Sequence, residues 1–176
     1  MSLTWRELWG IIHGMGLGAI FLLAFAGGLA GLWSLRPELV TAEGVKERLA
    51  RLRVGTWVMA AVAWLTVFTG TYIVYPWYRA KPPAGADLSL YPRSFLLSDP
   101  STVGWHRFGM EWKEHIAWLS PILATAVAYV VTRCGPELVH HPRLRRVLMA
   151  LFATAFATAA VAGLFGAFIT KVAPVR

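Results

Sequence analysis

The sequence contains one cysteine, Cys134, and few charged residues. A single cysteine cannot form an intrachain disulfide, and the chain has no C-x-x-C-H motif for covalent attachment of a haem. Charged residues make up 15% of the 176 residues and hydrophobic residues 57%, whereas soluble domains carry about 25% charged residues. The scarcity of charge argues against a soluble domain and predicts a membrane protein.

Four uncharged runs are long enough to cross a bilayer, which takes roughly 17 to 25 residues. They predict helices over about 5–35, 54–78, 103–132 and 147–170, joined by a loop over 79–102. Thr4 and Glu7 form a capping-box pattern that starts the first helix near Trp5. The predicted fold is an all-α membrane protein, a four-transmembrane-helix up-down bundle that forms a single domain over 1–176.

The net charge of +8 is distributed as a membrane topology signal. Basic residues do not form one stripe with interleaved aromatics, so nucleic acid is not expected as a partner. They are densest in the short loops 36–53 and 133–146, which the positive-inside rule places in the cytoplasm. Both termini and the central loop are then outside, and the expected location is the inner membrane of a bacterium.

A short motif occurs twice, as "RPELV" from Arg36 and as "GPELV" from Gly135. Each copy follows an odd-numbered helix and precedes a basic approach to the next helix. This pattern favours two repeated helical hairpins in the same orientation. The alternative is that proline, glutamate and arginine are common where any helix leaves the cytoplasmic interface.

Two histidines lie at similar depth in the predicted first and third helices. His13 occurs in "GIIHGMG" and His115 in "KEHIAW", each near the outer end of its apolar run. First and third helices are diagonal neighbours in an up-down bundle, so the two imidazoles can face each other. Two histidines on opposite sides of a planar macrocycle are the axial ligands of a bis-histidine haem b. One such haem is predicted, with His13 and His115 as the iron ligands.

Features around the histidines agree with a haem without requiring one. Gly10, Gly14 and Gly18 leave room for either a flat ring or another helix. Arg79 and Arg107 are the candidate partners for the haem propionates. Alternatively, a histidine near the membrane boundary can simply hydrogen-bond a carbonyl or extend toward the headgroups.

The same region of the sequence also contains residues that could form a metal site. His106, Met110 and Glu111 precede His115, and Glu111 and His115 share a helical face at a spacing of four. Thioether and imidazole ligands suit copper. His106 and His115 lie on opposite faces of a continuous helix, so a site that includes both requires a break. A chlorophyll held by one histidine is a further alternative.

The four-helix layout and the matched "GIIHGMG" and "KEHIAW" segments resemble the small membrane b-type cytochromes that serve as haem-bearing anchor subunits of respiratory complexes. The resemblance implies one-electron transfer between a quinol pool, or a partner subunit, and a redox protein on the outer face. Quinone binding and a hetero-oligomeric complex are part of that implication. Such relatives commonly carry two haems, whereas the second and fourth helices here contain no histidine.

Three functions follow as hypotheses. The first is an electron-transfer subunit that docks a partner through its central loop. There the expected contacts with the membrane interface or another chain are Tyr91, Phe95, Leu96 and Leu97. The second is a cofactor-free structural or anchor subunit of a larger membrane complex, and the third is a metal-handling protein. No nucleophile with a neighbouring base is evident, so the chain is not expected to be catalytic alone.

Overall fold

The computed structural model describes residues 3–174, which are helical and contain no strand. The five helices are α1 Trp5–Ser34, α2 Ala42–Tyr78, α3 Pro92–Ser98, α4 Trp105–Cys134 and α5 Pro142–Val172. All but α3 are long and apolar enough to cross a membrane. The predicted all-α fold with four spanning helices is therefore confirmed.

Two helices begin earlier in the sequence than the hydropathy pattern predicts. The predicted capping box is present: the Thr4 hydroxyl accepts from the Glu7 amide, and the Glu7 carboxylate accepts from the Thr4 amide at 2.8 Å. α2 begins at Ala42 rather than near residue 54, because the Thr41 hydroxyl accepts from the Gly44 amide and caps the first turn. α5 begins at Pro142, a residue suited to the first helical position. Both early turns are polar, so an apolar-run criterion excludes them.

The two PELV segments adopt similar local structures. Each forms a short 3-10 turn, at Pro37–Leu39 and at Pro136–Val139. An arginine guanidinium satisfies carbonyls beside each turn: Arg48 donates to Ser34 O at 3.0 Å, and Arg145 donates to Leu35 O and to Leu138 O. This similarity is what a repeated helical hairpin would produce.

The chain divides into two compact units, which are described separately. The first unit consists of residues 3–18, 65–118 and 159–174, and the second of residues 19–64 and 119–158. In the first unit, α3 lies on a core made by α2, α4 and α5: Leu96 is fully buried with Tyr78, Met110 and Ile169. Leu96 therefore packs within its own chain, whereas Leu97 is 40% exposed.

Turns in the central segment are held by two aspartates. Asp87 accepts from the Ser89 amide at 2.9 Å, and Asp99 accepts from the Ser101 amide at 2.7 Å. The hydrogen bonds from Ser101 lower the pKa of the exposed Asp99 carboxyl below its usual value. These turns position α3 over the core of the first unit.

The second unit is held by aromatic packing and by buried small residues. Phe25 of α1 stacks on Phe156 of α5 with ring centroids 4.0 Å apart. Gly28 allows a close approach, because a Cβ there would lie 2.7 Å from the Phe152 ring. Between α2 and α4, the Trp57 indole donates to the Thr132 hydroxyl at 3.0 Å. In this unit α1 thus packs against α5, and α2 packs against α4, as in an up-down bundle.

The exposed faces of the long helices are apolar. Large exposed side chains include Ile20, Leu22, Leu23, Val54, Leu65, Phe68, Ile122, Tyr129, Leu164 and Phe168. Apolar exposure on this scale would be unfavourable in water and is what a bilayer accommodates. The environment of the protein is therefore a membrane.

Replacing Arg145 with leucine is expected to destabilise the second unit. The buried guanidinium satisfies carbonyls of two segments, and leaving buried carbonyls unsatisfied costs about 2–3 kcal/mol. The matched control is Arg146→Leu, because Arg146 is exposed and its loss should change stability by no more than about 0.5 kcal/mol. Thermal unfolding in detergent micelles measures both variants, and equal stabilities would contradict the assignment.

Candidate functional site

His13 of α1 is held by a hydrogen bond to α2. Its Nδ1 lies 2.9 Å from the Thr69 hydroxyl, and that hydroxyl donates its own proton to Leu65 O at 2.8 Å. With the hydroxyl proton directed to Leu65 O, the nearer of two carbonyls, Nδ1 is the donor to Thr69 Oγ1. The tautomer inferred from this network leaves Nε2 with a free lone pair.

Helical irregularities coincide with this contact. His13 lies in a π-helical turn, Ile12–Gly16, and the α2 segment beside it starts a second one, Gly70–Val74. A Cβ on Gly70 would approach the His13 ring to 2.9 Å, so the close approach depends on glycine. Single π-helical turns inside α-helices occur frequently at functional sites.

Lys113 of α4 supplies a cation inside the spanning helices. Its ammonium donates to Ala162 O of α5 at 3.1 Å, and Gly166 leaves space for it, since a Cβ there would lie 2.8 Å from Nζ. Lys171 lies in the last turn of α5, and Ala162 precedes it by nine residues. The contact of Lys113 with Ala162 is therefore about 13 Å from that end of the helix. The ammonium is buried, and the residue as a whole is half-buried.

The ammonium also interacts electrostatically with His13. The residues His13, Thr69, Lys113 and Ala162 are called the polar layer below. Each of the four spanning helices contributes one member. Polar and ionisable groups at such positions are costly in a membrane and are usually functional. The polar layer is therefore the candidate site.

His115, the second predicted haem ligand, lies elsewhere on α4. Its side chain is 68% exposed, and its Nδ1 lies 3.1 Å from Glu111 O and 3.4 Å from the Glu111 carboxylate. Two helical residues apart correspond to about 200° of rotation. With Lys113 turned toward α5, His115 is therefore directed away from the polar layer.

Haem b is the cofactor predicted from the sequence, and the polar layer fits one of its two proposed ligands. In the tautomer inferred from the Thr69 contact, Nδ1 of His13 is hydrogen-bonded and Nε2 is unprotonated, as in metal-ligating histidines. His115, as placed, is not presented beside His13. The described residues thus support a site with one imidazole, and the bis-histidine pair stays a prediction.

A second polar cluster lies in the first unit around the end of α2. The Tyr78 hydroxyl lies 2.8 Å from Nδ1 of His106, and Arg79 donates to the Tyr75 hydroxyl at 3.0 Å. The Glu114 carboxylate interacts with the same Tyr75 hydroxyl. Arg79, a predicted propionate partner, is therefore engaged by Tyr75. The other predicted partner, Arg107, is exposed.

The three residues of the alternative metal site each contact other parts of the protein. His106 contacts Tyr78, Met110 is buried in the core of the first unit, and Glu111 pairs with His115. Within residues 3–174, no group of three or more histidine, cysteine, aspartate or glutamate side chains is placed to hold a metal ion. A site made of His106, Met110 and Glu111 stays a prediction.

Sequence reasoning missed Thr69 as the partner of His13 and Lys113 as the interior cation. Lys113 and His115 are two residues apart, and the sequence does not indicate which of the two side chains faces the interior. Pro121 has no amide proton to donate to Ala117 O, and a 3-10 turn is present at Ile116–Trp118.

Gly70→Ala tests the contact between His13 and α2. The new Cβ would displace the imidazole from Thr69, and overpacking of this kind costs about 1–3 kcal/mol. Gly55→Ala is the matched control on the same helix, because no atom lies within 4 Å of its Cβ position. We expect Gly70→Ala to unfold at a lower temperature than Gly55→Ala in detergent, and the reverse order would contradict the contact.

Comparison of the chain with protein-family models, curated proteins and solved structures finds no match. The resemblance to b-type cytochromes therefore has no support from an identified relative. The polar layer is the basis for inferring what the protein does.

Proposed function

We propose that the protein is a membrane electron-transfer subunit that binds one haem b through His13. The observation that carries the proposal is the hydrogen-bonded series from His13 Nδ1 to the Thr69 hydroxyl and on to Leu65 O. It orients the ring and leaves Nε2 unprotonated, which is the form that binds iron. The bound haem would supply one-electron oxidation and reduction.

Other features support a redox role at one membrane face. The density of basic residues in segments 36–53 and 133–146 favours their cytoplasmic location, with the termini and the central segment outside in a bacterial inner membrane. His13 would then lie toward the outer face. Electrons would pass between a quinol pool, or a partner subunit, and a redox protein on that side. The chain would act within a hetero-oligomeric complex rather than as an enzyme alone.

A cofactor-free anchor subunit is the second candidate, and one observation favours it. Gly10, Gly14 and Gly18 recur at a spacing of four, and no atom lies within 4 Å of their Cβ positions. A smooth, open face of this kind permits close packing of another transmembrane helix. This role predicts a stable chain that carries no haem.

Visible difference spectra of haem-replete protein separate the two candidates. We expect a b-type band in the wild type, loss of the band in His13→Ala, and its retention in His115→Ala, because His115 is exposed and lies away from the polar layer. Loss in both variants would instead restore the bis-histidine pair. A wild type without a band, or a band that survives His13→Ala, would refute ligation by His13.

Thr69→Val provides a milder change at the same site. Valine keeps the shape of threonine but cannot accept from Nδ1, so the ring loses its fixed tautomer while both haem and fold can remain. We expect weaker haem retention, because removing a partner of this type typically costs about 10- to 100-fold in metal affinity. Thr125→Val is a control on α4, where the lost hydroxyl accepts from Trp64 instead.

A further inference from the structure

The buried ammonium of Lys113 has fewer partners than it needs. An ammonium has three donors, and Ala162 O is the one acceptor that the structure places within hydrogen-bonding distance in residues 3–174. No carboxylate there forms an ion pair with it. A buried cation without a counter-charge is unfavourable in a membrane.

The nearest acidic residues along α4 are already engaged. Glu111 pairs with His115 on the exposed face, and Glu114 interacts with the Tyr75 hydroxyl. The Lys113 charge acts on the His13 imidazole of α1, and an imidazole is neutral or cationic and cannot supply negative charge. No carboxylate of residues 3–174 therefore neutralises the ammonium through an ion pair.

An approach to the ammonium is open along α5. Gly163 follows Ala162 directly, is exposed, and has no atom within 4 Å of its Cβ position. Gly166, on the following turn, leaves the space that Nζ occupies. Because the Gly166 space is filled by the ammonium, the open position is Gly163, where an acyl chain or a ring edge can lie against α5.

We propose that Lys113 binds the carboxylate of an amphiphilic ligand within the membrane-spanning region. Two sources share this chemistry, a propionate of the haem and a fatty acid. The haem source rests on the proposed function, whereas the fatty-acid source does not. In either case the carboxylate accepts from the two ammonium donors that Ala162 O leaves free, and it neutralises the cation.

Two matched ligand pairs test the proposal on the full chain in neutral detergent. The first pair is haem b and its dimethyl ester, and the second is oleate and oleyl alcohol. We expect the wild type to prefer the acid in one pair by about tenfold or more, the ratio that corresponds to one charge-assisted hydrogen bond. A preference in the haem pair identifies a propionate, and one in the oleate pair identifies a fatty acid.

Variants link that preference to Lys113. Lys113→Gln should abolish it, Lys113→Arg should keep it, and Lys171→Gln should leave it unchanged, because Lys171 is exposed near the end of α5. Gly163→Leu should weaken acid binding without altering Lys113, which guards against a folding defect in Lys113→Gln. Equal binding of acid and neutral analogue in both pairs, or a preference that survives Lys113→Gln, would overturn the proposal.

The two proposals fail separately. If neither haem nor its ester binds to the wild type, the electron-transfer function is refuted, while the oleate pair still decides whether Lys113 binds a carboxylate. If haem and its ester bind equally and oleate shows no preference, the haem site stands and the role of Lys113 is refuted.

Discussion

Inside a bilayer no water is present to hydrogen-bond a polar side chain, so its hydrogen-bonding partner must come from the protein. The polar layer is shaped by this constraint. The Thr69 hydroxyl accepts a hydrogen bond from His13 and donates one to Leu65 O. The Lys113 ammonium donates a hydrogen bond to the backbone of α5. Gly70 and Gly166 provide the space that these contacts require. The close packing at the glycines, the tautomer of His13 and the placement of the Lys113 charge all follow from this need for internal hydrogen bonds.

The constraint also explains why the helices are irregular where they are. Each π-helical turn inserts one extra residue and changes the rotation of everything that follows it. One such turn contains His13, one begins at Gly70 beside it, and one spans Trp105–Met110, just before Lys113. The first unit therefore combines the irregular turns with the polar layer. In the second unit, aromatic stacking and buried small residues accompany regular helices.

The spanning helices could be predicted from the sequence because long apolar runs and a capping box are local signals, and the depth of His13 followed from them. The rotation of α4 could not. Hydropathy reports where His115 lies along the membrane normal, but whether Lys113 or His115 faces inward depends on the turns that precede them and on the fit against α5. Likewise, Thr69 is one of several threonines on apolar helices, and only the fold places it beside His13. The sequence paired His13 with His115 from their depth alone; the structure shows Thr69 hydrogen-bonded to His13 and Glu111 beside His115, and the pair stays a prediction.

The central claim is that the Thr69 hydroxyl holds the His13 ring in one tautomer, with Nδ1 as the donor. Solid-state NMR of the protein in lipid bilayers, with isotopically labelled histidine and threonine, tests it directly. The account predicts a His13 ring protonated at Nδ1 and a through-space correlation between that ring and the Thr69 side chain, with the protonation altered in Thr69→Val. A His13 ring protonated at Nε2 alone, or the absence of a correlation with Thr69, would contradict it.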